Sequence, residues 1–175
     1  MVTNMDVLPE LRRIMLKGES ILDVGCGGTI YEELRHHDWW VYFDFKKRVG
    51  IDIHIPEIEW REKHFPNDVF IVMDANNIDR HFLENSFDVV HCQNVVEHLD
   101  MALAIQLIRK MEKLAKKQVI LGTPKGFRQN RLELINTNPH ELHLFAFNKE
   151  ELENLGYTVI EYYDYFLCYK NMEMG

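Results

Sequence analysis

The stretch "ILDVGCGGT" (residues 21–29) decides the fold of this 175-residue chain. A short apolar run ends at Asp23, and Gly25, Gly27 and Gly28 follow closely. This pattern predicts a buried β-strand that ends in a tight loop, where the backbone can come close to a ligand. The question is which ligand such a loop accommodates.

The loop does not match the common phosphate-binding patterns. The dinucleotide fingerprint GxGxxG ends in Gly or Ala, and Ile30 stands at that position. The P-loop requires Gly-Lys-Ser/Thr, which does not follow here. A carboxylate at Asp23 would repel a pyrophosphate but accept hydrogen bonds from an ammonium group. A ligand with a cationic end therefore fits better than a dinucleotide, and a nicotinamide oxidoreductase is the weaker alternative.

Short apolar strands alternate with helical segments along the chain. Further strands are predicted within residues 48–54, 69–78, 87–92 and 118–124, and two more within 157–170. Helices are predicted within residues 8–18, 29–40, 101–117 and 148–156. The alternation predicts an α/β fold, namely a Rossmann-like, doubly wound, mostly parallel sheet of about seven strands, with an antiparallel C-terminal edge and helices on both faces.

Composition narrows the class of partner and the compartment. The net charge of -8 argues against a nucleic-acid partner, because nonspecific binding to phosphates depends on clustered Lys and Arg. Cys26, Cys92 and Cys168 form neither a CxxC pair nor an even set, so reduced thiols are expected. No signal peptide and no membrane span are predicted, and we therefore expect a cytoplasmic protein.

Acidic residues follow the first three predicted strands. Asp23, Asp52 and Asp74 stand at or near the strand ends, and in an open α/β sheet the ligand binds outside those carboxyl ends. Three carboxylates there suit a ligand with a ribose diol, an exocyclic amine and a positively charged end. S-adenosylmethionine has all three features and carries no phosphate. For each acid alone, a helix cap or a surface charge is the structural alternative.

The ordered set of motifs resembles the class I S-adenosylmethionine-dependent methyltransferases. The matching stretches are "ILDVGCGG", "VGIDI", "VMDANN", "FDVVHCQNVVEHL" and "VILGTP", which span residues 21–124. The loop departs from the family at Thr29, where a further glycine is common. The resemblance implies S-adenosyl-L-methionine as cofactor and S-adenosyl-L-homocysteine as product. It also implies the following cofactor-binding residues: Asp23, Gly25, Cys26 and Gly27 at the methionine end, Asp52 and Ile53 at the ribose, Asp74 and Ala75 at the adenine, and Cys92 and Gln93 on the methionine side.

The chain is predicted to be one methyltransferase domain, residues 1–175. Its predicted parts are an N-terminal helix, a cofactor-binding core, a lid or substrate segment, and a C-terminal helix with strands. These parts cover residues 1–18, 19–124, 125–147 and 148–175. The segment 125–147 is the longest without periodicity, and long irregular segments in compact domains often serve as lids.

Histidines are the candidate catalytic residues. Methyl transfer is an in-line displacement, and a base is needed only where the acceptor must lose a proton. His143 and His140 lie in the predicted lid, where an imidazole could accept a proton near neutral pH. His98 follows Glu97 and resembles part of the Glu-x-x-Glu-His motif of some metal-assisted O-methyltransferases. Because Asn94 replaces the first glutamate, a structural role is favoured and no metal ligand is assigned.

Several functional alternatives stay open at this stage. We expect a small-molecule acceptor, although Lys125, Arg128 and Arg131 form a small basic cluster that could contact RNA. A methyltransferase-like cofactor-binding or partner subunit without its own activity is the main alternative. The aromatic C-terminal edge could pair with a second copy to give a homodimer, but the sequence leaves the oligomeric state open.

Overall fold

A seven-stranded sheet with the order β3-β2-β1-β4-β5-β7-β6 organises the chain. This computed structural model describes residues 4–27, 39–129 and 138–173. The strands are β1 (Ser20–Val24), β2 (Lys47–Asp52), β3 (Val69–Val72), β4 (Phe87–Gln93), β5 (Ala115–Pro124), β6 (Thr158–Tyr162) and β7 (Tyr165–Asn171). The described helices are α1 (Asn4–Ile14), α2 (Ile55–His64), α3 (Ile78–His81), α4 (Met101–Leu114) and α5 (Lys149–Asn154).

The first five strands are parallel, and the strand order reverses at β1. β1 pairs with β2 on one side and with β4 on the other. The chain therefore leaves the central strand in opposite directions, and in open α/β sheets ligands bind at this point, outside the carboxyl ends of the strands. Asp23 pairs in register with Gly50 on β2 and with His91 on β4.

Apolar side chains cover both faces of the sheet. On one face α4 buries Leu107, Ile108, Met111 and Leu114 against the sheet. Asp100 is the N-cap of α4, and its side chain accepts a hydrogen bond from the Leu103 backbone amide at 2.9 Å. On the opposite face, α1 and α2 pack apolar side chains beside the ring of Trp40: Leu8, Leu11, Ile14 and Ile58. Helices thus lie on both faces, as predicted.

The C-terminal edge is antiparallel, which confirms the expected fold class. β7 inserts between β5 and β6 and is antiparallel to both. The α5 helix carries the capping box expected from Asn148 and Glu151, whose side chains and amides bond reciprocally. Gly156 follows with φ +93°, a backbone conformation that glycine adopts readily.

Several predicted boundaries were wrong. α1 ends at Ile14, before Gly18, and Pro9 lies inside it. α4 ends at Leu114, and the lysines after it belong to β5, which follows without a loop. Between β4 and α4 the chain forms a 3-10 turn at Val96–His98. Most of the helix predicted within 29–40 lies outside the described residues, and its end forms a 3-10 turn at Trp39–Tyr42.

Candidate functional site

The glycine loop after β1 is held by β2 and by the exit of β4. The amides of Gly25 and Cys26 both donate to the carbonyl oxygen of Ile51 at 2.9 Å. Gly25 has φ +71°, and a Cβ added there would lie 2.1 Å from Cγ2 of Val95. Only glycine satisfies both conditions, so the loop packs directly against the chain that leaves β4. Thr29, which departs from the family pattern, lies outside the described residues.

A buried arginine on α2 fixes the carbonyl side of this loop. Arg61 donates from Nη2 to the carbonyl oxygens of Cys26 and Gly27, at 2.6 and 2.5 Å, and from Nε to Cys26 at 3.1 Å. Its guanidinium lies over the rings of Trp40 and Trp60, 5.5 and 5.7 Å from their centroids. Arg61 was not predicted from the sequence as a functional residue. The signal available was Pro56 near a helix start, which would have indicated α2.

Asp52 joins the end of β2 to the glycine loop. Its Oδ2 accepts a hydrogen bond from the Gly27 amide at 3.0 Å, and its Oδ1 accepts one from the His54 amide at 2.8 Å. Burial raises the pKa of Asp52, while the two backbone hydrogen bonds oppose that rise. Each carboxylate oxygen keeps a further lone pair that could bind a ribose hydroxyl. Ile53, the next predicted contact, is 40% exposed.

Asp74 follows β3 at the same edge and caps a 3-10 turn. Its Oδ1 accepts hydrogen bonds from the amide and the side chain of Asn76, at 2.8 and 3.1 Å. The turn that it caps begins at Ala75. The capping role, named above as the alternative for each acid, therefore exists here. It leaves Oδ2 without a partner among the described residues, and the contact of Asp74 and Ala75 with adenine stays a prediction.

Asp23 is paired and buried beneath the loop. Its Oδ1 lies 2.6 Å from Nδ1 of His91, and both side chains are almost inaccessible to solvent. The rings of Phe43 and Trp39 pack edge-on against His91, with centroids at 5.0 and 6.4 Å. Direct contact of Asp23 with the methionine end stays a prediction, and the structure adds a histidine to its surroundings.

Two of the predicted cofactor residues have buried thiols. Burial raises the pKa of Cys26 and of Cys92, so neither is a ready nucleophile. Cys26 fills the space left by Gly50, whose added Cβ would lie 2.8 Å from the sulfur. Cys92 packs into the core beside α4. Any contact they make with a cofactor would therefore come from their backbone.

Gln93 and Asn94 form the exit from β4. Gln93 is 6% exposed, and neither its amide nitrogen nor its amide oxygen has a partner in the described structure. Asn94 has φ +55°, the left-handed conformation that Asn tolerates better than most residues. The backbone amide of Asn94 donates to the carbonyl oxygen of Gly122 at 2.9 Å, which fixes the turn.

Glu97, His98 and His143 form a compact cluster beside this exit. Each offers a ligand atom, and these atoms lie within 4.8 Å of one another. Burial raises the pKa of Glu97 to about 8, and Thr123 donates a hydrogen bond to its Oε2 at 3.2 Å. Burial lowers the pKa of His98 and of His143. One carboxyl and two imidazoles could hold a divalent cation such as Zn²⁺, although the sequence analysis assigned no metal ligand.

The predicted lid returns over this cluster. The Leu144 amide donates to the carbonyl oxygen of Glu97 at 2.8 Å, and Nδ1 of His98 lies 3.3 Å from the carbonyl oxygen of Leu142. The other ring nitrogen of His98, Nε2, lies 3.7 Å from Oε2 of Glu141. His140 is exposed and bonds through its amide to Asn138. Of the two predicted lid histidines, the structure brings only His143 into the cluster.

The basic cluster of the lid is largely neutralised. Lys125 pairs with Glu161, and Arg128 pairs with Asp164 at 2.7 Å. Both acids lie on the β6–β7 hairpin. Arg131 lies outside the described residues. Two of the three cations are therefore not available as an open phosphate-binding surface.

Comparison with known proteins identifies the family. The family model described as "Methyltransferase domain" matches residues 22–121, from β1 to β5. The chain belongs to the methyltransferase domain family. The resemblance to class I S-adenosylmethionine-dependent methyltransferases is thereby confirmed, and S-adenosylmethionine as cofactor is confirmed at the level of the family.

The chain is also similar to individual methyltransferases, and it spans less than a third of the curated relative that it matches. The mitochondrial ubiquinone biosynthesis O-methyltransferase of Saccharomyces cerevisiae is 33% identical over 102 residues, which are 57% of this chain and 28% of that enzyme. The magnesium protoporphyrin IX methyltransferase of Synechocystis PCC 6803, solved with S-adenosylhomocysteine bound, has a TM-score of 0.61 at 16% identity, covering 97% of this chain and 82% of its own. A methyltransferase from Archaeoglobus fulgidus gives a TM-score of 0.60 at 24% identity, covering 89% and 70%. These structures share the fold.

Among the described residues, no helix is both long and apolar enough to cross a membrane.

Proposed function

We propose that this chain binds S-adenosylmethionine at the loop 25–27 and transfers its methyl group to a small-molecule acceptor. The observation that carries the proposal is the Asp52 carboxylate, which bonds to the Gly27 amide at 3.0 Å. A ribose diol could bind that carboxylate while the loop supports the methionine end. The proposed cofactor site is completed by Asp23, Asp74 and Ala75. On the β4 side it is lined by Cys92 and Gln93.

The proposed chemistry is an in-line displacement at the sulfonium carbon. The bond from carbon to sulfur breaks as the bond from carbon to the acceptor atom forms, and S-adenosylhomocysteine leaves. Where the acceptor is protonated, we assign its proton to His143 or to Nε2 of His98. The lowered pKa values of both imidazoles support this, because the neutral form that accepts a proton then dominates at neutral pH.

The small-molecule acceptor and the cytoplasmic setting also belong to this proposal. The net charge of -8 and the paired state of Lys125 and Arg128 support an acceptor other than a nucleic acid. Three free, buried cysteines support a reducing compartment. The alternative, a cofactor-binding partner subunit, would bind S-adenosylmethionine but would not turn over any acceptor.

Calorimetric titration tests the cofactor site. Wild-type protein is titrated with S-adenosylmethionine and S-adenosylhomocysteine, beside Asp52→Ala and the control Asp44→Ala, which changes an exposed acid. We expect roughly 10- to 100-fold weaker binding in Asp52→Ala, the loss of hydrogen bonds to a charged group. Absence of binding to the wild type would overturn the proposal. Unchanged affinity in Asp52→Ala would remove that residue from the site.

Methyl transfer tests the role of the histidines. Transfer from methyl-labelled S-adenosylmethionine to a panel of phenols, amines and thiols is measured with EDTA present, for wild type, His143→Asn, His98→Asn and the exposed control His140→Asn. We expect the variant that lacks the base, either His143→Asn or His98→Asn, to lose roughly 10²- to 10⁴-fold in rate. Equal loss in His140→Asn would contradict the assignment. Activity that requires added Zn²⁺ or Mg²⁺ would replace the base by a metal at Glu97, His98 and His143.

A further inference from the structure

A group of unpaired polar atoms lies on one face of the sheet beside the proposed cofactor site. The Nε2 of His91, both amide atoms of Gln93 and the hydroxyl of Tyr165 are buried and have no partner in the described part of the chain. Most buried polar atoms in folded proteins are hydrogen-bonded, and an unpaired one is destabilising. Several of them close together therefore require an explanation beyond packing.

Strand register places these side chains together. His91 and Gln93 are two residues apart on β4, so they point to the same face. Gln93 pairs with Gly122 on β5. A Cβ added to Gly122 would lie 2.3 Å from the Tyr165 hydroxyl and 2.8 Å from Nε2 of Gln93. Glycine at this position is what allows the amide and the hydroxyl to approach each other over the sheet.

Local geometry connects this face to the methyl donor. Gln93 is followed by Asn94 in the left-handed conformation, and non-glycine residues held there often belong to functional sites. The next residue, Val95, touches the glycine loop, since it would clash with any side chain at Gly25. The polar atoms thus stand at the strand end that borders the proposed methionine site.

We propose that Gln93 and Tyr165 bind a neutral hydroxyl group of the methyl acceptor. An amide and a phenol both donate and accept hydrogen bonds, which matches a hydroxyl, and neither carries the charge that a carboxylate or an ammonium would need. The buried apolar side chains of Ile120 and Leu167 lie beside Gly122 along β5 and β7, and these nonpolar surroundings strengthen a hydrogen bond to a bound hydroxyl. His91 directs its free Nε2 to the same face, while its Nδ1 is held by Asp23. The proposal rests on the methyltransferase function proposed above.

The test uses phenol as the probe, titrated by ligand-detected NMR into protein saturated with S-adenosylhomocysteine. The variants are Gln93→Met and Tyr165→Phe, which keep the shape and remove the polar atoms. Gln106→Met and Tyr163→Phe are matched controls at exposed positions. We expect phenol to bind roughly tenfold more weakly to each site variant, as for one lost hydrogen bond, and toluene to bind all proteins equally.

Two further measurements separate this proposal from its rivals. Gln93→Met and Tyr165→Phe remove atoms that have no hydrogen-bond partner among the described residues. We therefore expect the Tm of each variant to be no lower than that of the wild type. Affinity for S-adenosylhomocysteine should stay unchanged in Tyr165→Phe, and a fall in that variant would assign the hydroxyl to the cofactor instead. Failure of phenol to bind, or equal binding to the variants, would overturn the acceptor site and indicate an internal water at these atoms. If S-adenosylhomocysteine does not bind the wild type, it is the proposed function that fails.

Discussion

Asp23 and His91 face each other across the pairing of β1 with β4, and 2.6 Å separates Oδ1 of the aspartate from Nδ1 of the histidine. Both residues are buried, at 4% and 1% exposure. A buried carboxylate with one strong partner depends on that partner, because removing it leaves a charge in a region of low polarity. The pair therefore links the end of β1, where the loop begins, to the strand that carries Gln93.

We predict that His91→Leu destabilises the protein by about 3–5 kcal/mol at neutral pH, the cost of an unpaired buried charge. Adding Asp23→Asn to His91→Leu should recover part of this loss, because the amide is neutral. Urea unfolding of the two single variants and the double variant measures both effects. A double variant less stable than His91→Leu would contradict the pairing.

The arginine on α2 yields a second prediction. Lysine carries the same charge as Arg61 but cannot span the carbonyl oxygens of Cys26 and Gly27 with a planar fork. We expect Arg61→Lys to weaken S-adenosylhomocysteine binding by roughly 10- to 100-fold, since charge-assisted hydrogen bonds to the loop are lost. Calorimetry measures the affinity, and Arg80→Lys on the exposed face of α3 is the control. Equal affinities in the two variants would show that Arg61 does not position the loop.

A third prediction separates backbone strain from steric clash at two glycines. Gly25 and Gly126 both have positive φ, at +71° and +76°, but a Cβ at Gly126 would meet no atom of the described residues within 4 Å. Gly126→Ala should therefore cost only about 1 kcal/mol, the price of a left-handed alanine. Gly25→Ala should lower the free energy of unfolding by several times that amount, and it should also weaken cofactor binding. Val95→Ala combined with Gly25→Ala should recover part of that loss, as measured by thermal unfolding.

The sequence predicted the parts of the fold that carry strong periodicity or glycine signals. The alternation of strands and helices gave the sheet and its antiparallel edge, and Asn148 with Glu151 gave the start of α5. The α2 helix was missed because only Ile58 and Arg61 are buried on it, so its apolar pattern is weak. The start of β5 was missed because Ala115 follows α4 without a turn, and the lysines after it also suit a helix end.

The candidate site was predicted less completely, for a physical reason. Every residue of β4 is buried, so the strand shows no alternation to tell which face His91 or Gln93 points to. The contact of His91 with Asp23 depends on that face. Likewise, the proximity of His98 and His143 depends on how the lid returns, which no local pattern encodes. Asp52 ends β2, as its place after an apolar run predicts, and its contact with the cofactor stays a prediction.

The last prediction concerns Glu97 and the pH dependence of stability. Burial raises its pKa from 4.5 to about 8 in the folded protein, so the folded state keeps a proton that the unfolded state loses above pH 4.5. Over that range the folded state binds more protons, and stability due to this group falls as pH rises, by up to about 1.4 kcal/mol per pH unit. His98 and His143 act in the opposite sense below about pH 6.5, because their lowered pKa values make the folded state bind fewer protons.

Glu97→Gln should therefore remove the decline between pH 6.5 and 8, whereas Glu84→Gln, at an exposed glutamate, should leave it unchanged. Urea unfolding at half-unit steps from pH 5 to 8, with EDTA present, measures both curves. If wild type and Glu97→Gln run parallel across that range, Glu97 is ionised in the folded protein, and the cluster with His98 and His143 carries a negative charge at neutral pH.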